Sequence, residues 1–236
     1  MGRKKVFKSI ALILLLCFSF GQIIFGSVQC TAFAEEQSAR FPDLKGHWAQ
    51  GIIEEAGNNV SGYEDGLFRP DKLINRAEFT VLAARFLNVP NNTGAQSNFS
   101  DVKKEDWFYN EVSSMVSENY IQGYGDKTFR PMKEISRQEI TIILHRILKK
   151  ANINIEDTKD IKFKDESSFS ELFRDSIKAL ASLGIINGYS DNTFKPENSA
   201  TRAEAVKMLY LVKKKIDSFI EPIQTMPGAS VDPSQT

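Results

Sequence analysis

From residue 40 onward the apolar positions fall into stretches of helical period, separated by polar segments that carry Gly and Pro. Trp48, Ile52, Ile53 and Ala56 lie on one stripe, and Phe79, Leu82, Ala83 and Phe86 on a second. The alternation recurs. Trp107, Val112, Met115, Val116 and Ile121 are followed by Ile140, Ile143, Leu144, Ile147 and Leu148. Ile177, Leu180 and Ile185–Ile186 are followed by Ala205, Met208, Leu209 and Val212. The pattern predicts an all-α chain of three helix–loop–helix repeats with a period of about sixty residues. A unit of that size buries little surface alone. The second helices, apolar over a wide arc, are expected to share a common centre. Periodicity leaves open whether the units close around a pseudo-threefold axis or stack as an open solenoid.

The loops between paired helices keep one register. Gly62 to Glu78 reads GYEDGLFRPDKLINRAE, Gly123 to Glu139 reads GYGDKTFRPMKEISRQE, and Gly188 to Glu204 reads GYSDNTFKPENSATRAE. Gly62, Gly123 and Gly188 follow a helical stretch and suit a positive-φ helix stop. Asp-Gly, Asp-Lys and Asp-Asn read as tight turns. Phe68, Phe129 and Phe194, single large apolar residues in polar surroundings, are predicted to pin each loop to the core, and Pro70, Pro131 and Pro196 to stiffen its exit. Asn75, Ser136 and Thr201 stand three residues before Glu78, Glu139 and Glu204, the spacing of a capping box. Arg76, Arg137 and Arg202 then occupy the first helical position, where the helix dipole does not favour a cation. Their repetition there suggests a task away from their own helix.

Residues 1–34 have a different character. Arg3, Lys4, Lys5 and Lys8 precede the mostly apolar run Ile10–Phe25, and Ala32-Phe33-Ala34 is a small-x-small site before Glu35. This pattern predicts a secretory signal peptide cleaved after Ala34. The rival is a retained membrane anchor, for which the run is short of the roughly 20 apolar residues a span requires. Gln29 before Cys30 is a poor match to a lipoprotein site. Both cysteines, Cys17 and Cys30, precede the predicted cut, so the mature chain holds no disulfide and no thiolate metal site. Removing four basic residues takes 30 basic and 30 acidic to 26 and 30, a net charge of −4. That balance argues against nucleic-acid binding. The expected divisions are 1–34, a first repeat with linker at 35–98, a second at 99–162, a third at 163–215, and a flexible tail at 216–236.

The repeated residues resemble the surface-layer homology family: Phe-x-Asp-x…His-Trp-Ala from Phe41, Gly-Tyr-x-Asp-Gly-x-Phe-x-Pro, and Thr-Arg-Ala-Glu. The resemblance covers about Phe41 to Lys215. It implies a pseudo-threefold, three-pronged spindle around a central helical bundle. It also implies noncovalent attachment of an exported protein to the bacterial cell wall or S-layer surface. The implied ligand is a secondary cell-wall polysaccharide, often one bearing pyruvylated N-acetylmannosamine, held in grooves between repeats. The family's binding Arg carries over to Arg76, Arg137 and Arg202, and its loop Gly to Gly62, Gly123 and Gly188. An Arg fork matches a carboxylate, and both Arg76 and Arg202 are expected to be exposed. Trp48 and Trp107 offer faces to a sugar ring or pack in the core, and their place on apolar stripes favours packing. Asp43, Asp101 and Asp165 accept sugar hydroxyls, cap the first helix, or bind local backbone.

The departures predict unequal grooves. Asn75 replaces Thr, Gln138 replaces Ala, and Leu172 stands where the third repeat should carry Trp. The first repeat is two residues short between Trp48 and Gly62, so its first helix is expected to end early. No catalytic residue, cofactor or metal ligand set is predicted. The capping box accounts for the three Glu, so a glycosidase pair is not supported. The Asp-Gly loops lack the alternating ligands of a calcium loop. His47 and His145 lie in different repeats, with no nucleophile motif beside them. Alternatives to glycan attachment are self-assembly, docking of an S-layer or other surface protein, and wall-modifying catalysis.

Overall fold

The computed structural model describes residues 40–91, 96–155 and 161–224, without the side chains of 221–224. The predicted export segment and the chain beyond 224 lie outside these residues. The described residues form six α-helices and no strand: α1 (Gln50–Glu55), α2 (Arg76–Phe86), α3 (Tyr109–Ser117), α4 (Arg137–Lys150), α5 (Glu171–Ser182) and α6 (Arg202–Gln224). None is long and apolar enough to cross a membrane. α1 is the shortest and ends in a 3₁₀ turn at Gly57–Asn59, as the two-residue deficit predicts.

All three capping boxes form. The Asn75 and Ser136 side chains accept from the amides of Glu78 and Glu139, whose carboxylates accept from the cap amides. The Glu204 amide likewise donates to Thr201 Oγ1, and the Thr201 amide to Glu204 Oε2. Two further first-turn amides of each helix remain to be satisfied, and the neighbouring repeat supplies their acceptors. Arg76 and Ala77 donate to the carbonyls of Lys133 and Pro131 in the second repeat. Arg137 and Gln138 donate to Asn198 and Pro196 in the third, and Arg202 and Ala203 to Lys72 and Pro70 in the first. A smaller ring lies inside this one. Ile74 N–H donates to Ala200 C=O, Ala200 N–H to Ile135 C=O, and Ile135 N–H to Ile74 C=O, at 3.0–3.1 Å. The units therefore close around a pseudo-threefold axis; an open solenoid would leave the terminal donors unpaired.

Packing follows the same cycle. The first helix of each repeat lies on the second helix of the preceding one: α3 on α2, α5 on α4, and α1 on α6. α6 also packs against both α2 and α4. Phe79, Phe86, Ile140, Leu144, Leu209 and Val212 join one continuous core with Phe68, Phe129 and Phe194, whose rings are buried as predicted. Burying each such side chain contributes about 1.5–3 kcal/mol. α6 continues past Lys215, where the sequence predicted a trailing chain. Ile216 packs on the core, and the pair Lys213–Asp217 supports the added turns.

The glycine expectation fails. Gly62, Gly123 and Gly188 do not have positive φ; the left-handed ends of the first helices are Gly57, Asn119 and Gly184. Glycine is needed at 62, 123 and 188 because the backbone passes under an aromatic ring. A Cβ on Gly62 would lie 2.5 Å from Phe41 Cε1 and 2.8 Å from the Leu67 carbonyl oxygen. One on Gly123 would strike Phe99 and come within 2.6 Å of the Thr128 oxygen; one on Gly188 would lie 2.9 Å from both Phe163 and the Thr193 oxygen.

Candidate functional site

Each loop is built around a residue with left-handed backbone that is not glycine: Arg69 (φ 57°), Arg130 (φ 57°) and Lys195 (φ 54°). Such a conformation costs about 1–2 kcal/mol. An aspartate from the opening segment of the same repeat clamps it. Asp43 accepts the amides of Phe68 and Arg69 at 2.9 and 2.6 Å, one on each oxygen. Asp101 holds Phe129 and Arg130 in the same way, and Asp165 holds Phe194 and Lys195. Of the roles open to these three aspartates, local backbone binding is the one adopted. They cap no helix, and both oxygens of each are engaged. The turn aspartates stiffen the tip. The Thr128 hydroxyl, then Arg130, hold Asp126 down at about 2; the Thr193 hydroxyl and amide do the same for Asp191, also at about 2.

The three motif arginines are buried, contrary to the expectation of exposure for Arg76 and Arg202. They are 5, 6 and 5% accessible in chain order. Each leaves its own repeat and enters the next repeat's loop. Arg76 donates from Nε to the Phe129 carbonyl (2.8 Å) and from Nη2 to Gln122 (3.3 Å). Its guanidinium lies 4.8 and 4.9 Å from the ring centres of Tyr124 and Phe129. Arg137 makes the same contacts with Phe194, Asn187 and Tyr189, and Arg202 with Phe68, Ser61 and Tyr63. A cation at a helix start is tolerated because its charge is delivered to carbonyls and π-faces elsewhere. Sequence reasoning found the residues but missed the burial, since every partner lies in another repeat.

Beside each capping Glu stands the loop Tyr. Tyr63 donates to Glu78 at 2.9 Å and Tyr124 donates to Glu139; Lys72 and Lys133 bridge both members of their pairs. For Glu139, burial pushes the carboxyl pKa up, but the Ser136 amide, Tyr124, Arg76 and Lys133 outweigh it, and the net direction is down. The third repeat has Asn198 at the lysine position, and there Glu204 pairs with Arg137 at 3.4 Å.

Two clefts open along the seams. One, of about 240 Å³, is lined by Arg137, Gly188, Tyr189, Glu204 and Lys207, with Trp48 at its edge. The other, of about 160 Å³, gathers Arg76, Gly123, Tyr124, Glu139, Arg146 and Leu172. Each joins three repeats. The structure thus brings Arg137, Gly188 and Trp48 together, and Arg76 with Gly123; Leu172 takes the place of Trp48 in the smaller cleft.

Trp48 and Trp107 are 55 and 60% exposed, which overturns the core-packing expectation. Both precede their helices, so the helical stripe was extended through a turn that does not obey it. The next residues, Ala49 and Phe108, take the buried positions. Lys207 Nζ stands 5.7 Å from the Trp48 ring centre, and sequence reasoning missed it; the signal was a Lys where the other second helices carry Val81 and Ile142. Among the described residues no group of three or more His, Cys, Asp or Glu is placed to hold a metal ion.

The family model for the S-layer homology domain matches residues 40–80, 98–141 and 162–206. An amylopullulanase of Thermoanaerobacterium thermosulfurigenes is 35% identical over 201 residues, covering 84% of this chain and 11% of that protein. A cellulosome-anchoring protein of Acetivibrio thermocellus is 33% identical over 153 residues, 64% of this chain and 34% of its own length. The S-layer protein EA1 of Bacillus anthracis is 28% identical over 178 residues, 74% of this chain and 20% of that protein. The chain therefore spans a minor part of each of these relatives.

Proposed function

This chain belongs to the S-layer homology domain family, and from that premise we propose that it is a noncatalytic module that attaches noncovalently to the bacterial cell wall. The proposed ligand is a secondary wall polysaccharide bearing carboxylates, such as pyruvyl ketals. The proposed setting is the exterior of an exporting cell. The observation that carries this reading is the larger seam cleft, where Arg137, paired with Glu204, and Lys207 leave one positive charge in excess, the backbone at Gly188 is exposed, and Trp48 presents an open ring face. A guanidinium and an ammonium beside an aromatic plane suit an acidic sugar. The relatives fit the same reading: one is named as a cellulosome anchor and one as an S-layer protein. Arg76 and Gly123 offer a second, smaller site of the same plan.

The test is co-sedimentation of the chain from Glu35 with Gram-positive sacculi that keep their secondary polymer, and with sacculi stripped of it by hydrofluoric acid. Retention on the first alone supports the reading; equal retention on both overturns it. Trp48→Ala is the informative variant, because the ring is exposed and its loss leaves the core intact. It is expected to weaken retention by roughly tenfold with an unchanged melting temperature. Arg137→Ala is a poor probe, since removing it also breaks the seam.

A further inference from the structure

Arg146 lies outside the residues matched by the family model, on α4 at the rim of the smaller cleft. It is half-buried, and burial lowers its pKa. Its Nη2 donates to Gln122 Oε1 at 2.9 Å, and among the described residues it has no carboxylate partner. Buried charges are normally paired. Arg202 forms no ion pair among the described residues either, but Glu78 and Asp43 act on it electrostatically, and two carbonyls and two ring faces hold it; Arg146 has one neutral amide.

The cleft around it is short of negative charge. Arg76 shares it, 3.6 Å from Glu139, and that carboxylate already accepts from Tyr124 and Lys133. Both guanidiniums converge on Gln122, Arg76 at its carbonyl and Arg146 at its side chain. The remaining wall is apolar, formed by Ile142, Leu172 and Phe173. The first repeat reproduces the convergence on the residue before the loop glycine, with Arg202 at the Ser61 carbonyl and Arg85 at its side chain, but there the second arginine is exposed; the third repeat does not reproduce it. The matching residue in the first is Arg85, exposed and bonded to Ser61, and in the third it is Leu211.

We propose that Arg146 is a ligand-binding residue: it exchanges Gln122 for a carboxylate of an acidic glycan, with Arg76 completing a two-guanidinium site and Leu172 and Phe173 covering the ligand's apolar substituent. The proposal rests on the wall-glycan reading above. It makes the smaller cleft specific for the charged group, whereas the larger one, with Trp48, favours the sugar ring.

The experiment titrates the whole chain with wall polymer released by hydrofluoric acid, and with the same polymer after its carboxyls have been chemically reduced to alcohols. Arg146→Gln is expected to weaken binding of the acidic polymer by about tenfold, the scale of a charge-assisted bond, and to leave binding of the reduced polymer unchanged. Gln122→Ala, which removes only the competing amide, is expected to bind the acidic polymer as well as or better than the parent. Parent-like binding by Arg146→Gln overturns the proposal, as does an equal loss on both polymers. Equal weakening by Gln122→Ala also overturns it, because Arg146 would then act only by propping the loop. If the parent chain itself binds neither polymer, the wall-glycan reading has failed and this one with it.

Discussion

The seam from the first repeat to the second and the seam from the second to the third share a backbone plan and differ in their polar lining. Arg76 and Arg137 enter the next loop through matching carbonyls and ring faces. The adjoining carboxylates are held differently. Glu139 is tied by Tyr124, Lys133 and Arg76, and its side chain is 13% accessible. Glu204, with Asn198 in place of lysine, is 24% accessible beside a larger cleft. The architecture is carried by main-chain bonds and buried rings, so the side chains facing the clefts are free to diverge. Two clefts of one origin thereby present two chemistries.

The strongest way to break the comparison is to remove the shared element. Arg76→Ala and Arg137→Ala are each expected to cost about 3–5 kcal/mol, because the lost donors leave buried carbonyls unpaired and a carboxylate short of one partner. Urea denaturation should show similar losses for the two; a large inequality would mean that the linings, not the common contacts, hold the seams. The close approach of backbone and ring should separate them next. Gly123→Ala is expected to cost about 3 kcal/mol and Gly188→Ala about 1 kcal/mol, the tighter site suffering more from overpacking.

The lysine difference is smaller. Lys133 is nearly half exposed, so Lys133→Ala is expected to cost about 0.5 kcal/mol, and Asn198→Lys to add a similar or smaller amount in the third repeat. Equal effects of zero would show the bridge to be ornamental. The weakest test is acid titration. Glu78 and Glu139 have folded pKa values below the ordinary carboxylate value of 4.5. Their contribution is thus complete above about that pH and disappears as pH falls through the lowered values. Denaturation midpoints from pH 6 to pH 3 should fall less steeply in Lys133→Ala than in the parent.

Much of the fold was legible because its signals are local. The capping boxes, the pinned phenylalanines and the shortened first helix each depend on residues within one repeat. The failures share a cause as well. The burial of the three arginines and the reason for Gly62, Gly123 and Gly188 involve a partner distant in the chain, such as Phe41 over Gly62 or Phe129 against Arg76. No period along one sequence reveals such a partner. Trp48 and Trp107 were misplaced for a different reason: a helical stripe was carried one turn beyond the helix. Arg146 left a trace only as a charged residue in a mostly apolar stretch.

The cyclic pattern of donors also governs when the molecule can become itself. The bonds from Arg202 to Phe68 and Ser61 span 134 and 141 residues. A growing chain therefore holds its first two repeats with one edge open until α6 arrives. Closing so large a loop costs conformational entropy before any contact repays it, so the final docking of α6 is expected to govern the rate of folding. Until then the ring stays open, and afterwards the three described repeats present no open edge from which to unzip.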